Sequence, residues 1–222
     1  MNDPIILIVG PTASGKSSLA LRIAEKMRGD VINADSMQVY RELRILTARP
    51  SEEDESRVPH FLYGCCPIEK PFSVADWCAA AFAQIERSRE AGRTPIVVGG
   101  TGLYFKALLE GLAETPSIPD DVRREVRATL EEKGSAALHS ELAEGDPVLA
   151  ARLDPSDRQR ISRGLEVFRA TGRQLSDWQE LPTKGPLTEA NKAGNICKVA
   201  FLPPREWVNQ RCESRFDMMI EA

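Results

Sequence analysis

Gly10-Pro11-Thr12-Ala13-Ser14-Gly15-Lys16-Ser17 spells G-x-x-x-x-G-K-[ST], a complete phosphate-binding loop. The flanking sequence supplies the context such a loop needs. Pro4-Ile-Ile-Leu-Ile-Val9 is a short apolar run bounded by turn residues and predicts a buried strand. Leu19, Ala20, Ile23, Ala24 and Met27 recur at helical spacing and predict an amphipathic helix directly after the loop. In a strand–loop–helix unit the glycines let backbone N–H groups turn around phosphate oxygens, and the helix N-terminus adds favourable partial charge. Lys16 is then in reach of bridging and terminal oxygens, and the Ser17 hydroxyl is a ligand for Mg2+. The expected ligand is a diphosphate or triphosphate.

Outward from this unit, strands alternate with helices. Val31–Ala34 predicts a second strand delivering Asp35-Ser36, and Thr94–Val98 a third, emptying into Gly99-Gly-Thr-Gly102. Between them 41–72 reads as irregular, broken by Pro50, Pro59, Pro67 and Pro71. Val74–Arg89 is amphipathic and closes at Ala91-Gly92, and Leu103–Glu110 predicts a further helix. Such alternation implies an α/β fold with a parallel sheet, in which ligands bind beyond the C-terminal strand ends. The loop, Asp35-Ser36 and the glycine-rich Gly99–Gly102 are therefore expected around one cleft. From about 116 the pattern turns helical: Val122–Lys133, Ala136–Ala143, Pro147–Leu153 and Ser156–Thr171, with Pro182–Asn195 as loop. Ile196–Leu202 returns to strand and Arg205–Ile220 to helix. The expected organisation is a core of 1–115 and 196–222, cut short inside an amphipathic helix at Ala222, with a helical insertion at 116–195.

Composition excludes several classes. Of 222 residues 42% are hydrophobic and 28% charged, ordinary for a globular chain, and no apolar run is long enough to span a bilayer. Met1-Asn-Asp-Pro4 lacks the basic and apolar regions of a signal peptide. Five cysteines (65, 66, 78, 197, 212) without C-x-x-C spacing read as reduced thiols, and His60 and His139 as isolated structural histidines. The net charge of −4 argues against a general nucleic-acid binder. Residues 158–173, however, carry five arginines and one glutamate. On charge alone, a solvated helix face is the simpler reading of that segment.

Asp35 has three readings: a Mg2+ partner, a general base, or a turn cap. Gly99–Gly102 has two, a second anion nest or a tight strand-to-helix junction that places the Thr101 hydroxyl at the cleft.

Four separated motifs in order carry a resemblance. They are the phosphate loop, Asn33-Ala-Asp-Ser-Met-Gln-Val-Tyr40, Val98-Gly-Gly-Thr-Gly-Leu-Tyr104 with Lys106–Gly111, and Asp157–Val167. Together they resemble the tRNA dimethylallyltransferase (tRNA isopentenyltransferase) family from residue 5 to the chain's end. The resemblance implies a P-loop NTPase-like core with an inserted helical lobe. It implies that the loop holds dimethylallyl diphosphate instead of ATP, and that the prenyl group moves to N6 of an adenosine beside the anticodon. Asp35 would be the general base and Thr101 a catalytic-site hydroxyl. Gly10, Pro11, Thr12, Ala13, Ser14, Gly15, Lys16, Ser17 and Arg215 would bind the diphosphate, with Ser17 holding Mg2+. Asp35, Ser36, Met37, Gln38, Thr101, Arg123, Gln159, Arg160, Ile161, Ser162 and Arg163 would face the tRNA anticodon stem-loop, and the arginine-rich segment becomes an RNA surface. A cytoplasmic monomer without membrane contact is expected. Other readings are an ATP-dependent small-molecule kinase, a transferase acting on free adenine nucleotides, and an RNA-binding module with a dead site.

Overall fold

The computed structural model describes residues 4–113, 115–181 and 183–221. The expected chain ends, Met1 and Ala222, and the first residue of the expected loop, Pro182, lie outside the described residues. By compactness the chain divides into Met1–Gly111 with Lys184–Ala222, and Leu112–Thr183.

The first unit is a parallel sheet of β1 (Ile5–Val9), β2 (Gly29–Asn33), β3 (His60–Phe61), β4 (Thr94–Gly99) and β5 (Ile196–Ala200), in the order β3-β2-β4-β1-β5. Strands β1 and β4 read as continuous apolar runs because helices cover both faces of this sheet. On one face lie α3 (Val74–Glu90) and α4 (Gly102–Leu109), where Trp77, Ile85, Tyr104 and Leu108 pack on Leu7, Ile32 and Val97. On the other lies α1 (Lys16–Met27), where Ala20, Leu21 and Ala24 meet Ile6, Ile8, Val31 and Ile96. A capping box of Ser73 and Asp76 starts α3, each side chain satisfying the other residue's backbone N–H.

Segment 41–72, expected to be irregular, contains α2 (Glu52–Arg57) and β3. Helix α2 buries no residue and is polar all round, so it carries no hydrophobic period; a Ser51–Asp54 capping box starts it instead. Strand β3 is two residues long, held by two register pairs with β2, and such a length leaves no alternation to read. The expected loop 182–195 likewise contains α5 (Thr188–Lys192).

The second unit is helical: αA through αD run Asp120–Gly145, Pro147–Ala150, Arg158–Thr171 and Leu175–Glu180. Gly134, at φ 77° and ψ 169°, interrupts αA where the sequence suggests separate helices. Val126, Leu138, Leu142, Leu149, Ile161 and Leu165 form its core. Gly164 admits this packing, since a Cβ there would stand 2.8–2.9 Å from Leu149 and Leu142 methyls. Buried Asp146 joins the bundle, accepting from Leu149 N and from both the N–H and hydroxyl of Ser176.

The compact helical unit is shorter at its C-terminal end than 116–195, for a local reason. Leu187 N donates to Leu108 O at 2.8 Å, and the Thr188 hydroxyl to Leu109 O at 2.8 Å. Residues 184–195 are thereby tied to α4 beside the sheet. Helix α6 (Arg205–Glu221) follows β5.

Away from the strand ends that carry the loops, Asp30 at the start of β2 is 3% exposed and accepts from Arg93 Nε and from Ser88 Oγ, while Arg93 also donates to Gly29 O. Removing one partner leaves a buried charge without compensation. Asp30→Ala is expected to lower the unfolding free energy by about 3 kcal/mol, the lower end for such pairs because Arg93 is partly exposed. Urea denaturation checks this, and a loss below about 0.5 kcal/mol contradicts it.

Candidate active site

Backbone geometry forms the phosphate loop. Ala13 (φ 58°) and Gly15 (φ 93°) both adopt left-handed conformations, turning successive N–H groups toward one concavity at the start of α1. Lys16 is 9% exposed, and its ammonium donates to Pro11 O at 3.0 Å across the loop. Burial lowers its pKa, Asp35 opposes that shift, and Arg215 adds to it. Ser14 is 1% exposed and its Oγ has no hydrogen-bond partner among the described residues. An oriented ring of donors around a buried ammonium and an unsatisfied hydroxyl suits an anion.

Helix α6 closes this side. Arg215 donates to Thr12 Oγ1 at 2.6 Å, and Arg211 Nε to Ala13 O at 2.9 Å. The Arg211 guanidinium also lies over the Trp207 ring, 4.7 Å from its centroid. Spaced four apart, both arginines share one helix face. Both arginines therefore contact the loop that the sequence assigns to Arg215, and Arg211 is recognisable there only through that spacing.

Asp35 enters from the end of β2. Its Oδ1 accepts from Met37 N at 3.0 Å, so it does cap a turn. Oδ2 lies 3.9 Å from where a Cβ on Gly100 would stand. Asn33 accepts from Asp35 N at 2.9 Å and donates to Asp35 O at 3.0 Å. Gly99–Gly102 is a tight junction: a Cβ on Gly99 would stand 2.0 Å from Ala34 O. Thr101 accepts from Ser36 N at 3.0 Å through its hydroxyl, fixing the Asp35-Ser36 corner. Gln38 spends both amide hydrogens on the carbonyls of Thr47 and Ala48, at 2.8 and 3.0 Å, and so shapes the facing loop. Met37 is half exposed.

The loop, Asp35 and Gln38 share a cleft of about 370 Å³, lined by Thr12–Ser18, Asp35, Gln38, Thr47, Ala48, Arg211 and Arg215, whereas Ser36, Met37, Thr101 and the Gly99–Gly102 junction are not part of its lining. Buried Tyr104, nearby, has its phenol pushed up to about 12, chiefly by burial, then by Tyr40 and Asp35. For a metal, Ser17 and Asp35 offer one hydroxyl and one carboxylate; no cluster of three His, Cys, Asp or Glu side chains exists among the described residues. That sparse oxygen set fits Mg2+, which keeps several waters and takes substrate phosphate oxygens.

In the helical unit, Gln159, Ser162 and Arg163 line a second depression of about 460 Å³ with Arg127, Leu130, Arg158 and Glu166. Arg163 donates to Thr115 Oγ1 at 2.8 Å, and exposed Arg160 pairs with Asp157 at 3.3 Å. Arg123 is exposed on αA. Ile161 is the correction within this group: it is fully buried in the helical core, so its side chain offers no surface to a ligand. His60 and His139 each bond backbone carbonyls, and the five cysteines are free.

Comparison with known proteins agrees with this geometry. A family profile described as IPP transferase matches residues 38–222, and one described as isopentenyl transferase matches 3–63. The tRNA dimethylallyltransferase of Parvibaculum lavamentivorans is 54% identical, covering 100% of this chain and 69% of the relative. That of Azorhizobium caulinodans is 53% identical over 98% of this chain and 68% of its own length. Among solved structures, a eukaryotic dimethylallyltransferase acting on tRNA superposes with a TM-score of 0.75 at 28% identity, covering 99% of this chain. This chain spans 53% of that one. A tRNA isopentenylpyrophosphate transferase from Bacillus halodurans gives 0.61 at 33% identity, over 99% of this chain and 66% of that one. With a parallel P-loop sheet and relatives above half identity along its whole length, this chain belongs to the tRNA dimethylallyltransferase (IPP transferase) family of prenyl-transferring enzymes.

Proposed function

We propose that this chain transfers the dimethylallyl group of dimethylallyl diphosphate to N6 of an adenosine beside the anticodon of tRNA, releasing diphosphate. The observation that carries it is the meeting, in one cleft, of an anion cradle and the Asp35 carboxylate. A leaving diphosphate needs the first and a weakly nucleophilic exocyclic amine needs the second. The relatives named above are tRNA dimethylallyltransferases, which favours this reading over a kinase.

Gly10–Ser17 orient the diphosphate through backbone N–H groups, with Lys16, Arg215 and Arg211 around it. As C1 of the prenyl group bonds to N6, the C–O bond to diphosphate breaks and charge builds on the departing oxygen. Those donors stabilise that charge in place, which is where most such catalysis comes from. Asp35 takes the N6 proton on its Oδ2, the oxygen that Met37 N leaves free. Ser17 would hold Mg2+, which would neutralise phosphate charge when bound. Thr101 orients the Asp35-Ser36 corner, and Ser36, Met37 and Gln38 border the acceptor base, which must leave its stack to enter. Arg123, Gln159, Arg160, Ser162 and Arg163 form the surface for the anticodon stem-loop, where phosphate contacts and shape decide binding. The protein works as a cytoplasmic monomer.

Mass spectrometry of tRNA nucleosides after incubation with this chain, dimethylallyl diphosphate and Mg2+ is expected to reveal N6-dimethylallyladenosine; its absence overturns the proposal. Asp35→Asn is expected to lower kcat by about 10²-fold or more, the scale of general base catalysis, with donor affinity retained. Single-turnover kinetics beside calorimetry separates the two effects, and unchanged kcat removes Asp35 from the role.

Lys16 gives a pH dependence with a definite sign. Its pKa is lowered in the free protein, and a bound diphosphate stabilises the ammonium and raises it again. Binding therefore takes up a proton on the alkaline side, and donor affinity falls as pH climbs toward the ordinary lysine value of 10.5. Calorimetry in buffers of different ionisation enthalpy reads that uptake, and Lys16→Arg is expected to abolish it. Uptake that persists in Lys16→Arg contradicts the assignment.

A further inference from the structure

We infer that Asn33 is the positioning residue for Asp35, and that Trp77 holds Asn33 in turn. This deepens the proposed function and rests on its reading of Asp35 as the base. Asn33 is fully buried at the end of β2, two residues before the carboxylate. Its side chain makes three bonds, all to backbone. Oδ1 accepts from Asp35 N at 2.9 Å; Nδ2 donates to Asp35 O at 3.0 Å and to Leu62 O at 3.1 Å. Both amide hydrogens are thus used. The two polar groups of the Asp35 backbone are clamped by one residue, and the clamp is tied across to the chain leaving β3.

Leu62 makes this anchor informative. It is a non-glycine residue at φ 63°, a conformation costing on the order of 1 kcal/mol or more that persists only where its surroundings enforce it. The Asn33 amide bond to its carbonyl is one contact on that residue, and it extends the β2–β3 connection one residue past the Ile32–Phe61 pair. Behind Asn33, its backbone carbonyl accepts from Trp77 Nε1 at 2.7 Å. Trp77 is fully buried and stacks on Tyr104, centroids 4.1 Å apart and planes within 9°. A rigid apolar pair from α3 and α4 therefore fixes β2's last residue, and that residue's side chain fixes Asp35. With Oδ1 held by Met37 N, these contacts restrict where the Asp35 carboxylate stands.

Residue chemistry narrows the choice at position 33. The clamp needs one acceptor and two donors on a side chain short enough to reach a neighbour two residues on. Aspartate has no donor when ionised, and serine has a single hydrogen.

The test compares Asn33→Ala, Asn33→Ser and Trp77→Phe with the unaltered chain, well below each variant's melting temperature. The readouts are kcat at saturating tRNA and KM for dimethylallyl diphosphate. Misplacing a catalytic group by about 1 Å costs up to about 10²-fold in rate. Asn33→Ala is expected to lose about 10- to 100-fold in kcat with donor KM nearly unchanged, because the phosphate loop is untouched. Asn33→Ser keeps an acceptor for Asp35 N and is expected to fall between. Trp77→Phe keeps an aromatic ring against Tyr104 but removes the Nε1 donor, and is expected to lose several-fold in kcat alone. A folded Asn33→Ala that turns over at the unaltered rate overturns the inference. So does a rate loss matched by equal loss of donor affinity or of folded protein, since that is what a purely structural role produces. If Asn33→Ala does not fold, Trp77→Phe decides, and full kcat there overturns the inference. An unaltered chain that makes no product fails the functional reading and this inference with it; an active chain indifferent to Asn33 and Trp77 fails this inference alone.

Discussion

Everything at the cleft depends on how closely the strand ends approach one another. The Ala34 carbonyl occupies the space that a Cβ on Gly99 would need, at 2.0 Å, and Phe201 O stands 2.7 Å from where one on Gly10 would be. Glycine at both positions lets β1, β2, β4 and β5 run on as paired backbone beyond their regular hydrogen bonds. Gly10 N reaches Gly99 O, Ala34 N reaches Val98 O, and Phe201 N reaches Val9 O. The phosphate loop and the Asp35 corner are therefore parts of one hydrogen-bonded edge. A side chain at Gly99 would push apart the two groups whose cooperation the proposed chemistry requires.

That edge gathers Lys16, Arg211 and Arg215 around one cleft, with the Lys16 ammonium largely buried. Burying an ammonium disfavours its charged form, and Lys16 responds in that direction. Nearby Asp35 offsets part of the cost and the arginine at 215 adds to it, so the free cleft is poised to be relieved by an incoming anion. The Ser14 hydroxyl, without a partner among the described residues, is in the same position. Both costs are modest in a protein of this size, and in the proposed function both are relieved when phosphate oxygens arrive. The Arg215–Thr12 and Arg211–Ala13 bonds bring α6 into this arrangement from 203 and 198 residues away in sequence.

Much of this was readable from residue order alone, because periodicity and the loop motif report directly on the backbone. The strand at 5–9, the helix after Lys16, the break at Gly134 and the return to strand at 196 all follow from patterns that a short window contains. Helix α2 and strand β3 do not, since one buries nothing and the other has only two residues; tertiary contacts make them. Ile161 was grouped with its arginine neighbours because a motif runs through it, whereas its position on αC turns it into the core. Arg211 and Asn33 were hidden for a different reason. Their roles are hydrogen bonds to backbone atoms, which carry no residue-type signature at the partner's end.

The chain's central physical claim is that the cradle accepts an allylic diphosphate, with Asp35 waiting for the acceptor's proton. Calorimetric titration of dimethylallyl diphosphate and, separately, of ATP into this chain with Mg2+ tests it most directly, using Lys16→Ala as the control for the site. The account predicts saturable binding of the prenyl diphosphate that Lys16→Ala weakens, and at most weak binding of ATP. Tight, Lys16-dependent binding of ATP with no detectable affinity for the prenyl diphosphate would contradict it.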